Sequence, residues 1–473
     1  MKSKYYILFI LVTFISLCFS QVQAQANNPP TGPIYIVSPG DSLLGIAAIF
    51  DVSLEEIMIA NNIIDPNQLF PGDQLLIPGL DGINGILASR IVSFGETQRS
   101  LSRQYRIPIV QLRKLNHIIS PTEFYAGAHL IIIQDPVKPT WTGTTNLESE
   151  ETLLERSIKD NSDPWTIIEI NNLADTWVAI PGDVLYIPSS TRNSSQTGLP
   201  SIFLSVIVDP LPLTQGKTAQ IQVITSQEIT LSGILVDKEL HFFPIEKNSY
   251  VSLQGVHALT EPGLYPLRFD ATLQDGSIQS FEQMILIQTG NYTSEILFVD
   301  PESINPSITA PEEDYVRSIT SKANPERYFN GMFKSPAIQY EDTGYFTSKF
   351  GNRRTYKGIG SDLEIFGFHS GLDFGGGNGL PITAPASGIV VFTGLLDVRG
   401  NATIIDHGWG VYSGFWHQSE IKVSLGDFVE TGQVIGLVGG TGRVTGAHLH
   451  WEVWVNGIQV DPMDWLENTY PHP

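Results

Sequence analysis

Five of the ten histidines in this 473-residue chain, at 369, 407, 417, 448 and 450, fall in one C-terminal segment. Phe368-His369-Ser370-Gly371-Leu372-Asp373 sets an imidazole and a carboxylate four residues apart among glycines, which favours a loop or strand end over a helix. Ala447-His448-Leu449-His450-Trp451-Glu452-Val453 alternates as a strand, so His448 and His450 share one face while Leu449, Trp451 and Val453 take the other. Two imidazoles and one carboxylate bind Zn²⁺ at about 2.0–2.2 Å and leave a fourth tetrahedral position for water, the layout of a catalytic site. His369, Asp373 and His450 are the expected ligands. A metal so held makes water more acidic and polarises an amide carbonyl, and further groups must then move the proton and stabilise the oxyanion. His448, by its strand face, and His417, in Gly414-Phe415-Trp416-His417, are the candidates. His407 is expected to hold a turn, and Glu452 either partners His450 across their shared face or stays exposed.

These residues occupy about the last quarter of a chain too long for one core, so several modules must precede them. With 49 acidic against 27 basic side chains, the net charge of −22 has the wrong sign for binding polyphosphate, and nucleic acid is not an expected partner. Mean hydropathy of +0.02 with 43 glycines and 30 prolines describes folded modules joined by turns and connectors. Lys2 and Lys4 precede the apolar run Tyr5 to Phe19, and Gln21 to Ala26 offers a small-residue cleavage pattern, so residues 1–25 are expected to be a signal peptide. The run is short of the ~20 residues of a membrane-spanning helix, and no transmembrane anchor is expected in the mature chain. Cys18, the single cysteine, lies inside it, which leaves His and carboxylate as the ligands for any metal.

The first two hundred residues carry a repeat. Asn61-Asn62-Ile63-Ile64-Asp65, Asn116-His117-Ile118-Ile119 and Asn171-Asn172-Leu173-Ala174-Asp175 begin at 61, 116 and 171, and Gly72, Gly127 and Gly182 follow the same step of 55. Each copy is expected as strand, helix, helix, strand, although the third lacks an opening strand signal. In the first, Leu44, Ile46, Ala47 and Phe50 form a helical apolar stripe, Ser53 and Glu56 a capping box, and Ile57 and Ala60 the buried face of a second helix. His117 and His129 are expected as surface or packing residues. From Leu199 to Ile287 short alternating runs, Ile202 to Val208, Ala219 to Ile224, Ile229 to Val236, Tyr265 to Ala271 and Phe281 to Ile287, indicate a small β-sandwich. Residues 301–346, rich in proline and acid, are expected as a connector with a short helix that could cover the cleft.

The first repeat resembles the LysM module in its opening Val-x-x-Gly-Asp-Ser, central Asn-x-Ile and closing Pro-Gly-x-x-Leu-x-Ile-Pro, the second has Phe94-Gly95-Glu96 and Ala126-Gly127 at the matching places, and the third keeps the second half. That resemblance implies a βααβ fold binding N-acetylglucosamine-containing glycans such as peptidoglycan. Over about 347–467 the chain resembles the lysostaphin-type (LytM-like) zinc endopeptidases, through Thr347 to Arg354, His369-x-x-x-Asp373, Pro385 to Val390, Ile405 to Gly408, Tyr412 to Ser419, Gly432 to Gly436, Gly440 to Gly442 and His448-x-His450. The resemblance implies a β-sheet groove, metal ligation by His369, Asp373 and His450, catalytic roles for His417 and His448, and cleavage of peptidoglycan stems or cross-bridges. Pro262-Gly263-Leu264-Tyr265 is similar to a corner of bacterial immunoglobulin-like modules.

The expected organisation is therefore multidomain: signal peptide 1–25; LysM repeats at 34–78 and 90–134, with a degenerate copy at 147–189; an immunoglobulin-like β-sandwich at 198–300; a linker at 301–346; and a mainly-β zinc endopeptidase domain at 347–467. The expected protein is secreted, periplasmic or cell-wall associated. The alternative is a non-catalytic wall-binding protein or an activator of cell-wall amidases.

Overall fold

A computed structural model gives the fold, and it describes residues 32–80, 82–134, 143–148, 150–188, 197–337 and 346–472. The expected signal peptide and Cys18 lie outside the described residues. Among the described residues no helix is long and apolar enough to cross a membrane. The chain divides into two compact units, one of residues up to 89 with 131–134 and one of the remainder.

In the first unit, strand Ile34–Ile36 pairs antiparallel with Gln74–Leu76, and helices Leu43–Phe50 and Leu54–Asn61 lie between them in sequence. The buried stripe of the first helix is Leu43, Ile46, Ala47 and Phe50, and Leu44 is 68% exposed. This corrects the expectation by one residue: 43, 46, 47 and 50 follow the i, i+3, i+4, i+7 spacing of one helix face, and 44 does not. Ser53 and Glu56 form the expected capping box, with Ser53 N donating to Glu56 Oε2 at 2.8 Å and Glu56 N to Ser53 Oγ at 3.1 Å.

The repeated asparagine has a mechanical role. Asn61 Nδ2 donates to Ile57 O and Leu76 O, both at 2.8 Å, and Asn61 Oδ1 accepts from Leu76 N at 2.7 Å. A single amide thus satisfies a helix carbonyl and both polar groups of a strand residue, which few other side chains can do. Asn171 repeats this in the second unit with Ile167 O, Tyr186 O and Tyr186 N, each at 2.8 Å. The opening turn acid is repeated as well. Asp41, Glu96 and Glu151, again 55 apart, each accept from the backbone N three residues upstream at 2.7, 2.8 and 3.0 Å.

In the second unit, helices Gln98–Gln104 and Ile109–Leu115 belong to the second copy. The third copy has the opening strand that its sequence did not signal: Gly143–Asn146 pairs antiparallel with Val184–Ile187 around helices Leu153–Lys159 and Pro164–Ile170. Thr144, Thr145 and Asn146 are buried despite their polarity, so hydropathy alone passes over them. Asp183 fastens the second copy to the third by accepting from Arg99 at 2.7 Å and Arg103 at 2.6 Å.

The middle module consists of two sheets. Lys238–Glu239, Thr230–Leu235, Gly263–Thr272, Ile278–Gln288 and Leu213–Thr214 form one, and Phe243–Glu246, Ser249–Gly255, Thr218–Thr225 and Phe203–Asp209 the other. Their inward residues, among them Phe203, Ile221, Val223, Phe269 and Ile285, share one core.

The C-terminal module is built on an eight-stranded sheet in which His448–Val455 lies antiparallel between Leu372–Gly375 and Val411–Gln418. Leu449, Trp451, Val453 and Val455 pack with Val390, Ile405, Val411 and Phe415 on one face. The other face holds Ala402, Ile404, Tyr412, Trp416 and Trp454 around Val316 of helix Pro306–Thr320. Residues 301–337 are thus not a free connector. Their helix runs fifteen residues, Glu312 and Glu313 bind Arg399 at 2.9 and 2.6 Å, and Phe329, Phe333 and Ala337 enter the main core. Burial of Val316 and neutralisation of a buried guanidinium account for this segment folding onto the sheet.

His407 belongs to this scaffold. It sits in strand Gly400–Gly408 rather than in a turn, fully buried, with Nδ1–H donating to Ser387 O and Nε2 accepting from Ser413 Oγ, both at 2.9 Å. Burial pushes its pKa down to about 4. An imidazole kept neutral in the fold but protonated near pH 6.5 when unfolded contributes stability that is present above that pH and lost as pH falls toward 4. The expected loss is up to about 3 kcal/mol, read as faster hydrogen exchange of the 400–408 amides at pH 4.5 than at pH 7.5 after correction for intrinsic rates; His407→Gln should flatten that dependence.

Candidate metal centre

Neighbouring strands bring together residues far apart in sequence. Asp373 and His450 are paired across Leu372–Gly375 and His448–Val455, and His369 lies just before the first of these strands. Asp373 Oδ1 is 2.7 Å from His450 Nδ1 and 3.1 Å from His369 Nε2, and the two imidazole nitrogens are 3.1 Å apart. Among the described residues these three make a group able to hold a metal ion, each offering one ligand atom.

The opposite side of each ring is already committed. His369 Nδ1–H donates to Lys349 O at 2.8 Å, which leaves the Nε2 lone pair facing Asp373 and His450. His450 Nε2–H donates to Glu452 Oε1 at 3.0 Å, so Nδ1 faces inward. Glu452 is buried and also accepts from Ser370 Oγ at 2.6 Å; it is not an exposed acid. Two nitrogens, each turned inward by a partner on the far side of its ring, and one anionic oxygen fit a tetrahedral cation that prefers mixed nitrogen and oxygen donors.

The electrostatics follow from crowding. Burial would raise the Asp373 pKa, yet the charge of His450 and the close contacts with His369 and His450 hold it well below the usual carboxylate range. Burial lowers His369. In His450, burial is outweighed by the charge of Asp373 and by Asp373 and Glu452 as acceptors, which push it up to about 9. The three side chains therefore carry a carboxylate that stays ionised beside a position strongly favouring positive charge.

His448 and His417 flank this group. His448 Nδ1–H donates to Gly446 O at 2.9 Å, leaving Nε2 3.7 Å from Asp373 Oδ1. His417 Nδ1–H donates to Thr441 O at 2.8 Å, and its ring lies 5.0 Å from that of His448 and 6.2 Å from that of His450. Alternation alone would not put it there. Trp416 is paired with His450 and shares its face, so residue 417 should fall on the other side; a φ of +63° at His417 turns the chain and brings the ring back. Burial, then the charge of His450, push its pKa down to about 3.

All five expected site residues thus converge, whereas His407, His117 and His129 lie elsewhere in the fold. Sequence reasoning left the role of Glu452 open and gave no role to Ser370, Lys349 O, Thr441 O or Gly446 O. Glu452 carried a signal in its position two residues from His450, but backbone acceptors carry none.

Residues 367–462 match the family model described as Peptidase family M23, and residues 35–78 and 91–132 match that of the LysM domain. The chain carries an M23 peptidase domain and two LysM domains. Its M23 region is similar to DD-carboxypeptidase/endopeptidase Mpg of Neisseria meningitidis serogroup B, at 41% identity over 101 residues, 21% of this chain and 23% of that protein. It is also similar to peptidoglycan DD-endopeptidase ShyA of Vibrio cholerae, at 43% identity over 95 residues, 20% of this chain and 22% of that protein. The chain thus spans about a quarter of the length of the relatives it matches. Among solved structures, the catalytic domain of the antimicrobial peptidase lysostaphin from Staphylococcus simulans is 36% identical, with 21% of this chain and 80% of that chain covered and a TM-score of 0.21. The M23 domain is metallopeptidase in type, and it includes His369, Asp373, His417, His448 and His450.

Proposed function

We propose that this chain is an exported zinc endopeptidase that hydrolyses peptide bonds in peptidoglycan stems or cross-bridges, brought to the wall by its LysM repeats. The observation that carries the reading is the convergence of His369 Nε2, Asp373 Oδ1 and His450 Nδ1 within 3.1 Å of one another, with two further imidazoles beside them. The names of the Neisseria and Vibrio relatives support the substrate class.

A zinc ion held by His369, Asp373 and His450 supplies Lewis acidity toward an amide carbonyl and a more acidic water. His448 Nε2, free because Nδ1 is spent on Gly446 O, takes the proton of the attacking water. His417, its Nδ1–H donated to Thr441 O, presents an unprotonated Nε2 beside His448 that orients the attacking water as an acceptor, and the proton taken by His448 passes to the leaving amine. Hydrogen bonds donated to two backbone carbonyls thereby fix the tautomer of both imidazoles before substrate arrives.

The LysM domains contribute by effective concentration, since a second weak contact keeps the site near its polymer without new chemistry. The third βααβ copy is a degenerate LysM fold, and the two-sheet module is an immunoglobulin-like spacer. Residues 1–25 direct export and are removed, which leaves the protein secreted, periplasmic or cell-wall associated.

The decisive experiment is mass spectrometry of fragments released from purified peptidoglycan by the full-length protein. Peptide fragments with new amino groups are expected; peptidoglycan peptides left unchanged by protein that carries bound zinc would overturn the reading. Deleting residues 32–80 should lower retention on sedimented peptidoglycan while leaving hydrolysis of a soluble cross-linked dimer unchanged.

A further inference from the structure

Glu452 has no role in the reaction as described, yet it is one of the most deeply placed acids in the chain. It is 2% exposed, in the middle of a strand otherwise filled by aromatic and aliphatic side chains and the two site histidines. An isolated carboxylate there would cost several kcal/mol. Its surroundings show what retains it. Oε1 accepts twice, from His450 Nε2–H at 3.0 Å and from Ser370 Oγ–H at 2.6 Å. Ser370 follows His369 directly, so one oxygen is tied to the strand bearing one expected ligand and to the loop bearing another. Oε2 is buried and has no hydrogen-bond partner among the described residues.

A cation stands behind this acid. Arg399 is buried and stacks over Trp416 at 5.3 Å, with its charge acting on Glu452. Glu312 Oε1 and Glu313 Oε2 hold its Nη1 and Nη2 at 2.9 and 2.6 Å. Both acids belong to helix Pro306–Thr320, so a helix outside the matched peptidase region fixes the guanidinium whose charge acts on the buried carboxylate.

We infer that Glu452, held by Ser370, is a positioning residue for the metal. It fixes the His450 ring with Nδ1 turned inward, and it draws the loop carrying His369 to the same oxygen. The inference rests on His450 being a ligand, and it adds a determinant of metal affinity that lies outside the ligand set. Loss of such an outer partner characteristically weakens metal binding by about 10- to 100-fold while the ligands remain in place.

The test measures zinc affinity of the full-length protein by competition with a chromogenic chelator, alongside thermal melting of the metal-free form. Glu452→Ala is expected to bind zinc about 10- to 100-fold more weakly. Glu452→Gln keeps an acceptor oxygen for His450 and should recover part of that loss. Ser370→Ala, a small change nearer the surface, should weaken zinc in the same direction by less, and it keeps the test open if the Glu452→Ala variant fails to fold. Activity of Glu452→Gln should rise toward wild type as zinc is raised, which a defect in folding alone would not produce. Wild-type zinc affinity in folded Glu452→Gln and Ser370→Ala would overturn the inference. Absence of stoichiometric zinc from the wild type would instead overturn the metal reading beneath it, so the two failures are distinguishable.

Discussion

His369→Ala should abolish stoichiometric zinc in the purified protein and lower turnover of cross-linked peptidoglycan by about 10³-fold or more, equivalent to about 4 kcal/mol of transition-state stabilisation. The size follows from the geometry. His369 contributes one of three donor atoms, and its Nε2 lies 3.1 Å from both Asp373 Oδ1 and His450 Nδ1. Removing it leaves a two-donor site, while the carbonyl of Lys349 that oriented the ring loses its partner. The ring is buried, so a small cavity adds to the loss, and melting of the metal-free variant separates that contribution from metal binding. Elemental analysis for zinc and chromatography of released fragments are the measurements. A variant that keeps one zinc per chain and wild-type turnover would remove His369 from the ligand set.

His448→Ala should behave differently. Its imidazole flanks the three donor atoms without belonging to them, with Nε2 3.7 Å from Asp373 Oδ1 and Nδ1 held by Gly446 O. Zinc content should therefore stay near wild type while kcat falls by about 10²- to 10⁴-fold, the range for a lost general acid or base. A group that acts in proton transfer, and not in holding the ground-state substrate, should change KM far less than kcat. Loss of zinc together with activity would reassign His448 to the ligand set. Unaltered kcat with zinc retained would move the proton transfer to His417.

The energetic logic of the module explains why these effects are separable. The site sits on a sheet whose opposite face is packed by Leu449, Trp451, Val453 and Val455, so each polar side chain alternates with one that anchors the strand. Rigid strands position donor atoms more closely than loops can. The 306–320 helix adds a second layer by burying Val316 and by neutralising Arg399.

Much of this was legible because the relevant signals are local. The step of 55 that placed Asn61, Asn116 and Asn171 is a property of the chain alone, and the Asn61 and Asn171 side chains turned out to bridge helix to strand. Leu43, and not its neighbour Leu44, completes the buried stripe, because two adjacent leucines in a helix point about 100° apart and only one can face the core. The opening strand of the third copy gives no hydropathy signal, because Thr144 and Thr145 are polar residues buried by pairing with 186 and 185. Residues 301–337 looked like connector for a similar reason: proline and acid mark a boundary in sequence, whereas Glu312 and Val316 find their partners some ninety residues away.

By itself the sequence offered the five candidate site residues, the shared face of His448 and His450, and the repeat with a step of 55, since residue types, strand alternation and internal periodicity are properties of the chain alone. Only the tertiary structure decided that His417 points toward His450, because a single left-handed residue cancels the alternation that spacing would predict. It also decided that Glu452 is a buried partner of His450 and that Arg399 and a distant helix stand behind it. Those outcomes depend on which strands lie side by side and on what burial does to a charge, and neither is written in any short stretch of chain.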